Sequence, residues 1–110
     1  MPAIWPPVQI GGTLYMDGGI RSLANADLAA GASRVLILIS ATETTPLGPA
    51  VPPAELAALR DARVRIVYAD DHSLAAMGAN PLDPATRAPA AEAGRRLGRT
   101  IAPTIATLWD

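Results

Sequence analysis

One uninterrupted apolar run constrains the fold of this chain more than any other feature. Residues 34–40 read Arg-Val-Leu-Ile-Leu-Ile-Ser, with no polar residue between Val35 and Ile39. A strand with one wetted face alternates apolar and polar residues, so this run predicts a strand covered on both faces, as in parallel sheets. A predicted helix over residues 54–61 and a second short apolar strand over 64–68 follow it. This order favours an α/β fold of mostly parallel strands with right-handed crossover helices.

Residues that favour turns or interrupt helices predict where the other segments end. Prolines, glycines and small polar residues mark turns and loops, because each restricts or frees the backbone in a characteristic way. Pro103 lacks an N–H group and is predicted to end or kink any helix that reaches it. The remaining predicted elements are a loop at 5–8, a turn at 9–12, a strand at 13–16, a helix from Ser22 or Asn25 to Gly31, a loop at 41–53, a helical turn at 73–77, a turn at 80–84 and a helix over 85–97 that starts near Pro84 or Ala85.

Composition indicates a single packed domain over residues 1–110 and excludes one large class of partner. The 110 residues are 50% hydrophobic and 17% charged, which is typical of a chain with a core. Nine basic residues against ten acidic ones give a net charge of −1. That balance cannot supply the positive surface of a nucleic-acid binder, so nucleic acid is not a predicted partner.

The absence of cysteine removes several kinds of chemistry. With no cysteine there is no disulfide, no thiolate nucleophile and no thiolate zinc site. We therefore predict no metal and no cofactor. The first seven residues lack a targeting pattern, and the aliphatic run at 35–39 is too short for a transmembrane segment, so the sequence predicts a soluble, cytoplasmic chain.

The segment Tyr-Met-Asp-Gly-Gly at residues 15–19 is the strongest candidate for chemistry. Asp17 follows a predicted strand and precedes two glycines and a helix, so its carboxylate is expected at the rim of a sheet. Ligands of open α/β sheets bind at that rim. An aspartate there can orient or deprotonate a hydroxyl group about 3 Å away.

The residues around this motif resemble those of the patatin-like phospholipases. The resemblance is carried by Ile-Trp-Pro-Pro-Val at 4–8, Tyr-Met-Asp-Gly-Gly-Ile-Arg-Ser at 15–22, Asn-Ala-Asp-Leu-Ala at 25–29 and Arg-Val-Leu at 34–36. It continues through Asn-Pro-Leu-Asp-Pro at 80–84 and Glu-Ala-Gly-Arg at 92–95. The stretch from 6 to 25 is the specific part, and the similarity covers most of the chain.

Membership in that family implies a serine lipid acyl hydrolase on a three-layer α/β/α fold. The resemblance assigns Asp17 as the partner of a serine carried in a Gly-x-Ser-x-Gly turn, with Gly18, Gly19, Arg21 and Asn25 supporting the motif or binding substrate. Neither that serine turn nor the family's glycine-rich oxyanion loop occurs in these residues. The expectation is a partial hydrolase, inactive alone, whose serine comes from a missing N-terminal segment or another chain. The implied substrate is a lipid ester or phospholipid.

Each supporting residue has a structural alternative. Arg21 is expected to meet an anionic head group, to pair with Asp17, or to be a surface cation. Asn25 either shapes the turn or caps a helix. Trp5, Tyr15 and Trp109 are expected to bind acyl chains or to pack in the core or at its edge. The whole chain could also be a non-catalytic α/β binding or regulatory domain.

A second acidic stretch resembles a different family over a shorter length. Residues 65–72, Arg-Ile-Val-Tyr-Ala-Asp-Asp-His, resemble the first strand of a response-regulator receiver, but the chain has no lysine to complete such a site. The acids at 70 and 71 could hold a hard cation or form a solvated turn. His72 is either a base or a hydrated surface histidine.

Overall fold

The structure is a computed structural model that describes residues 5–80 and 82–110. Its helices are short except for the last one, and three 3₁₀ turns connect the larger elements. The strands are β1 (Val8–Ile10), β2 (Thr13–Tyr15), β3 (Arg34–Ile39), β4 (Thr44–Thr45), β5 (Gly48–Pro49) and β6 (Arg63–Tyr68). The helices are α1 (Pro53–Ala57), α2 (Asp71–Met77) and α3 (Arg87–Ala106), and the 3₁₀ turns are Gly18–Ile20, Ala26–Ala29 and Pro84–Thr86.

Two parallel strands form the centre of the fold. Strand β3 pairs with β6 in a register that runs from Arg34 opposite Arg63 to Ile39 opposite Tyr68. Helix α1 lies between them in the chain, as parallel pairing requires a crossover connection. The α/β prediction is confirmed at this level, with 40% helix and 21% strand. The larger parallel sheet of a three-layer fold stays a prediction.

Only one face of β3 is fully covered. Val35, Ile37 and Ile39 point to the buried face, where they pack with apolar residues of α1 and of the segment before β3. Leu38 points the other way and is 69% exposed, because a cavity of about 360 Å³ separates it from the glycine-containing face of α3. The prediction of a strand covered on both faces is therefore wrong for the described residues. The core residues are Ala26, Val35, Ile37, Ile39, Ala50, Val51 and Leu59.

The N-terminal strands form a separate hairpin. Strand β1 pairs antiparallel with β2, with Val8 opposite Tyr15, and the two-residue turn between them is Gly11-Gly12. Both glycines have positive φ, 56° and 84°, as the favoured two-residue hairpin turns require. The predicted turn at 9–12 is thus shorter, because residues 8–10 already pair. All residues from 5 to 20 are exposed, so the hairpin projects from the core.

The helix predicted before Gly31 is replaced by a single 3₁₀ turn, Ala26–Ala29. The Ser22 hydroxyl accepts the N–H groups of Ala24 and Asn25, which gives the backbone an alternative to helical bonds. Asn25 then adopts a left-handed conformation, with φ 49° and ψ 36°, which interrupts any right-handed helix. Ala26 is nevertheless buried and anchors the turn to the core.

The last helix is longer than predicted. Helix α3 ends at residue 106 and includes Pro103, which was expected to end or kink it. Its C-terminal end is fixed by tertiary contacts: Leu108 is fully buried, and the Arg63 guanidinium donates to the carbonyls of Thr107 and Asp110 at 2.9 Å each. The helix thus continues past Pro103 although proline removes one backbone hydrogen bond. The long loop at 41–53 is also partly ordered, since β4 and β5 pair within it.

The chain is less compact than a closed domain of its size. The Cα radius of gyration is 15.9 Å, against about 13 Å expected for 100 residues. The exposed hairpin and the partly open face of the sheet account for this difference. Much apolar surface therefore faces outward near the residues that the sequence marks as functional.

Candidate functional site

Asp17 sits at the start of a tight turn. It is the N-terminal cap of the 3₁₀ turn Gly18–Ile20, and its Oδ1 accepts the Gly19 N–H at 2.8 Å. This bond fixes the direction of the carboxylate. Within residues 5–80 and 82–110, the other oxygen, Oδ2, makes no hydrogen bond. The exposed side chain thus keeps one oxygen free to accept a further hydrogen bond.

The two glycines make room for this carboxylate. A Cβ at Gly19 would lie 3.3 Å from Asp17 Oδ1, which is closer than ordinary van der Waals contact. A Cβ at Gly18 would lie 3.8 Å from Asn25 Nδ2, which is ordinary contact distance. Neither glycine has positive φ, so the need at Gly19 is space rather than a left-handed backbone. The motif therefore keeps the carboxylate uncrowded on the Gly19 side.

Asn25 braces the turn from the other side. Its Nδ2 donates to the carbonyls of Gly18 at 3.0 Å and Ser22 at 2.7 Å. It precedes the 3₁₀ turn Ala26–Ala29 but makes no capping bond with its side chain, so the helix-cap alternative is wrong. It is the only non-glycine residue with positive φ in the described residues. Such backbone strain often occurs at functional sites and requires stabilising contacts.

Arg21 is held by Asp27 and not by Asp17. Its guanidinium binds the Asp27 carboxylate with two bonds, NH1 to Oδ1 at 2.9 Å and NH2 to Oδ2 at 2.5 Å. NH1 also donates to Asn25 Oδ1 at 2.8 Å. This hydrogen-bonded pair raises the pKa of Arg21 and lowers the pKa of Asp27. Of the three alternatives for Arg21, the ion pair with Asp17 is therefore not formed.

Glu55 links this network to the core. Its Oε2 accepts the N–H of Ala26 at 2.8 Å, and both residues are buried. A buried carboxylate that receives a backbone N–H replaces water that the donor would otherwise need. Sequence reasoning missed both Glu55 and Asp27. The one available signal for Glu55 was an acid that precedes a run of alanines and leucines at the start of the helix predicted over 54–61.

A groove runs beside the turn along the outer edge of β3. It has a volume of about 430 Å³, and one wall is the segment 23–29, which includes the exposed side chains of Leu23 and Leu28. The other wall is β3 itself, residues 35–39. Asn25 belongs to the first wall and also holds the Gly18 carbonyl. The Asp17 turn therefore lies next to an open groove whose lining side chains, apart from Asn25, are apolar.

The second acidic stretch is structural. Asp70 caps helix α2 by accepting the Ser73 N–H at 2.8 Å, and it also binds Arg96 of α3 at 2.8 Å. Hydrogen bonds from Ser73 and then from Arg96 lower the pKa of Asp70 to about 2. Asp70 is thus an N-cap rather than part of a solvated turn. His72 and Asp71 are exposed, and the described residues contain no group of three or more potential metal ligands.

Three of the four aromatic side chains lie at the surface, whereas Tyr68 packs against the core. Trp5, Tyr15 and Trp109 are each 54–57% exposed. Core packing is therefore wrong for all three. Tyr15 belongs to β2, and Trp5 lies three residues before β1, so both are near the hairpin.

The Asp17 carboxylate is not paired with a hydroxyl group in the part of the chain that the structure describes. Among the described residues, Asp17 makes no hydrogen bond to a serine or threonine. The nearby Ser22 hydroxyl is occupied in accepting backbone N–H groups. A proton transfer at Asp17 would therefore need a hydroxyl group brought to it from elsewhere.

Comparison with known proteins gives this chain no relative. No family model, curated protein or solved structure matches it. In the described residues, no helix is both long and apolar enough to cross a bilayer. Its function must therefore be argued from its own residues and geometry.

Proposed function

We propose that this chain supplies the aspartate of a Ser–Asp dyad in a patatin-like lipid acyl hydrolase. The observation that carries the proposal is the state of Asp17: its Oδ1 is fixed by Gly19 at 2.8 Å, while its Oδ2 is free and exposed. A base for a serine hydroxyl needs this combination of fixed direction and an open oxygen. The serine belongs to another segment, so the chain is inactive alone.

In the proposed reaction the serine Oγ attacks the carbonyl carbon of a lipid ester, and its proton passes to Asp17 Oδ2. The tetrahedral adduct then expels the alcohol, which takes this proton, and an acyl-serine remains. Water attacks the acyl group and gives its proton to Asp17. The serine recovers that proton as the fatty acid leaves, so the dyad returns to its starting state.

The residues around Asp17 have positioning roles in this proposal. Gly19 leaves space beside the carboxylate, and Gly18 presents its carbonyl to Asn25. Arg21 holds Asn25 and Asp27, so it stiffens the turn and is not assigned to an anionic head group. The proposal also includes the three-layer α/β/α arrangement. It is supported by the parallel β3–β6 pair, with α1 against one face and α3 across a cavity from the other.

A non-catalytic binding or regulatory domain is the second candidate. One observation favours it: Asp17 caps its own 3₁₀ turn, which is an ordinary structural role for an Asp-Gly-Gly sequence. In that case Asp17 would contribute to local stability and not to turnover. The two candidates therefore differ in what a change of Asp17 does to ester hydrolysis.

The test is reconstitution with a segment that carries a serine turn. The chain is co-expressed with the Gly-x-Ser-x-Gly half of a patatin-like hydrolase, and hydrolysis of a short-chain nitrophenyl ester is measured. Asp17→Asn keeps an oxygen for Gly19 but cannot take a proton, so the rate is expected to fall about 10²- to 10⁴-fold. The fully solvated Asp61 provides the matched control, and Asp61→Asn should leave the rate unchanged.

Two results would refute the hydrolase proposal. One is an active complex whose rate does not depend on Asp17. The other is ester hydrolysis by the chain alone that survives Asp17→Asn. Circular dichroism and unfolding of each variant confirm that a lost rate does not reflect a lost fold.

A further inference from the structure

The outer edge of β3 has unpaired backbone groups. The Arg63 N–H donates to the Ser33 carbonyl at 2.9 Å, so residues 33, 35, 37 and 39 direct their backbone groups toward β6. The alternate residues Arg34, Leu36 and Leu38 direct their N–H and C=O groups the other way. Within the described ranges, β6 is the only strand that pairs with β3. These groups therefore have no strand partner.

This edge borders a groove whose side chains are mostly apolar. The wall formed by residues 23–29 faces the edge across about 430 Å³, and Leu23 and Leu28 are 55% and 76% exposed. Leu38 is exposed on the other side of the strand. A segment that filled the groove would thus meet unpaired backbone donors and acceptors between two apolar surfaces. An extended strand with apolar residues on both faces would pair with the free backbone groups and pack against both apolar surfaces.

The groove is also oriented relative to Asp17. The Ala32 N–H donates to the Ala29 carbonyl at 3.1 Å, so residue 29, the last residue of the wall formed by residues 23–29, lies near the amino end of β3. Asn25 therefore lies toward the other end of the groove. Glu55 holds Ala26, and the adjacent Asn25 holds Gly18, the residue after Asp17. The Asp17 turn therefore adjoins the end of the groove where β3 stops. A strand parallel to β3 would have its own carboxyl end at this place.

We infer that the free edge of β3 accepts a parallel apolar strand from the serine-bearing segment, and that this pairing brings the serine to Asp17. The inference rests on the proposed function for the identity of the strand. A serine on a sharp strand-to-helix turn leaves its strand at the carboxyl end. Parallel pairing would thus deliver the serine to the end of the groove beside the Asp17 turn. An antiparallel strand would deliver it to the opposite end.

Amide hydrogen exchange of the unmodified chain tests the docking without any measurement of activity. The probe is a short peptide of alternating valine and isoleucine with lysines at both ends. At ten times its Kd, the peptide should slow exchange at Leu36 and Leu38 about tenfold. The backbone amides of Val64 and Ile66 face the other edge of the sheet, and their exchange should not change. The same peptide with N-methyl groups on alternate amides, which removes the donors on one edge, should give no protection.

Three outcomes would overturn the inference. The first is that the Leu36 and Leu38 amides are already protected in dilute chain without peptide. The second is that they become protected only as the chain itself is concentrated, which would make a second copy the occupant. The third is that the peptide protects Val64 and Ile66 instead.

Failure of this inference can be told apart from failure of the proposed function. The Asp17→Asn variant should bind the peptide as the unmodified chain does, because the side chain of residue 17 is not part of the free edge of β3. If reconstituted hydrolysis depends on Asp17 but the peptide does not protect the β3 edge, the docking is wrong and the function stands. If the peptide docks but hydrolysis does not depend on Asp17, the β3 edge does accept a strand and the proposed function is wrong.

Discussion

The hairpin of β1 and β2 and the parallel pair of β3 and β6 contain similar residues in opposite environments. Both are rich in valine, isoleucine, leucine and tyrosine. Val35, Ile37 and Ile39 are at most 8% exposed, whereas Val8, Ile10 and Leu14 are 57–67% exposed. An isolated two-stranded hairpin is marginally stable in water. We therefore expect the parallel pair, and not the hairpin, to stabilise the fold. The hairpin leads into the turn that contains Asp17.

The segment from residue 21 to residue 29 connects these two regions. Asn25 reaches the Asp17 turn through Gly18, and Ala26 is fixed to buried Glu55. A few hydrogen bonds thus connect the Asp17 turn to the core. Substitutions can separate the contributions of the two regions to stability. Their effects should decrease from the core toward the periphery.

The largest effect is expected in the core. Leu59 is 3% exposed and belongs to the buried cluster, so Leu59→Ala should cost about 2–5 kcal/mol of unfolding free energy or abolish the cooperative transition. Leu14→Ala in the hairpin removes the same atoms from an exposed side chain and should stay within about 0.5 kcal/mol. Urea unfolding measures both. Equal losses would show that the hairpin is as well packed as the sheet.

The next effect is expected at the link between the regions. Glu55→Ala leaves the buried Ala26 N–H without an acceptor, which should cost about 1–3 kcal/mol. Glu55→Gln keeps an oxygen in the same place and should recover most of the loss. Chemical unfolding compares the two variants. If Gln is no better than Ala, the hydrogen bond to Ala26 is not what makes this position important.

A smaller effect is expected at Asn25. Asn25→Gly keeps the left-handed backbone and loses the side-chain bonds, whereas Asn25→Ala also adds backbone strain. The alanine variant should be less stable than the glycine variant by about 1 kcal/mol. Both variants should alter the amide chemical shifts of Gly18 and Gly19 in NMR spectra. Unchanged shifts would mean that Asn25 does not brace the Asp17 turn.

The smallest effect is expected for Asp70 and depends on pH. Its pKa is lowered from 3.8 to about 2 in the folded chain, so its stabilisation is complete above 3.8 and is lost as the pH falls toward 2. Asp70→Asn retains an N-cap side chain but cannot titrate. Melting temperatures through this range should fall more steeply for the unmodified chain than for the variant. Parallel curves would contradict the assignment of Asp70 as a charged cap.

Local sequence signals predicted the backbone of this fold better than its packing. The apolar run from 35 to 39 identified a strand in a parallel pair, and two short apolar segments separated by a helix predicted its partner. The same run predicted cover on both faces, but the cover of Leu38 depends on how α3 sits, which no local pattern encodes. Pro103 was expected to end or kink α3, yet the helix does not end there and continues to Ala106, two residues before the buried Leu108.

The candidate site shows the same division. The Asp-Gly-Gly sequence predicted a turn that presents Asp17, and the structure has that turn. The partners of Arg21 and Asn25 were not predictable, because several possible acceptors or donors lie within a few residues of each of these polar side chains. Glu55 is 29 residues from Ala26 in the chain, so its role emerges only after folding. The catalytic role of Asp17 stays a prediction.

The most direct test of the account is the position of a docked strand relative to Asp17. A spin label at the carboxyl end of the valine–isoleucine peptide broadens NMR signals close to it. Because this chain has no cysteine, a thiol-reactive label attaches only to a cysteine in the peptide. The account predicts broadening of Gly18 and Gly19 with Gly31 and Ala62 unchanged. Broadening of Gly31 and Ala62 instead, with sharp signals at Gly18 and Gly19, would contradict it.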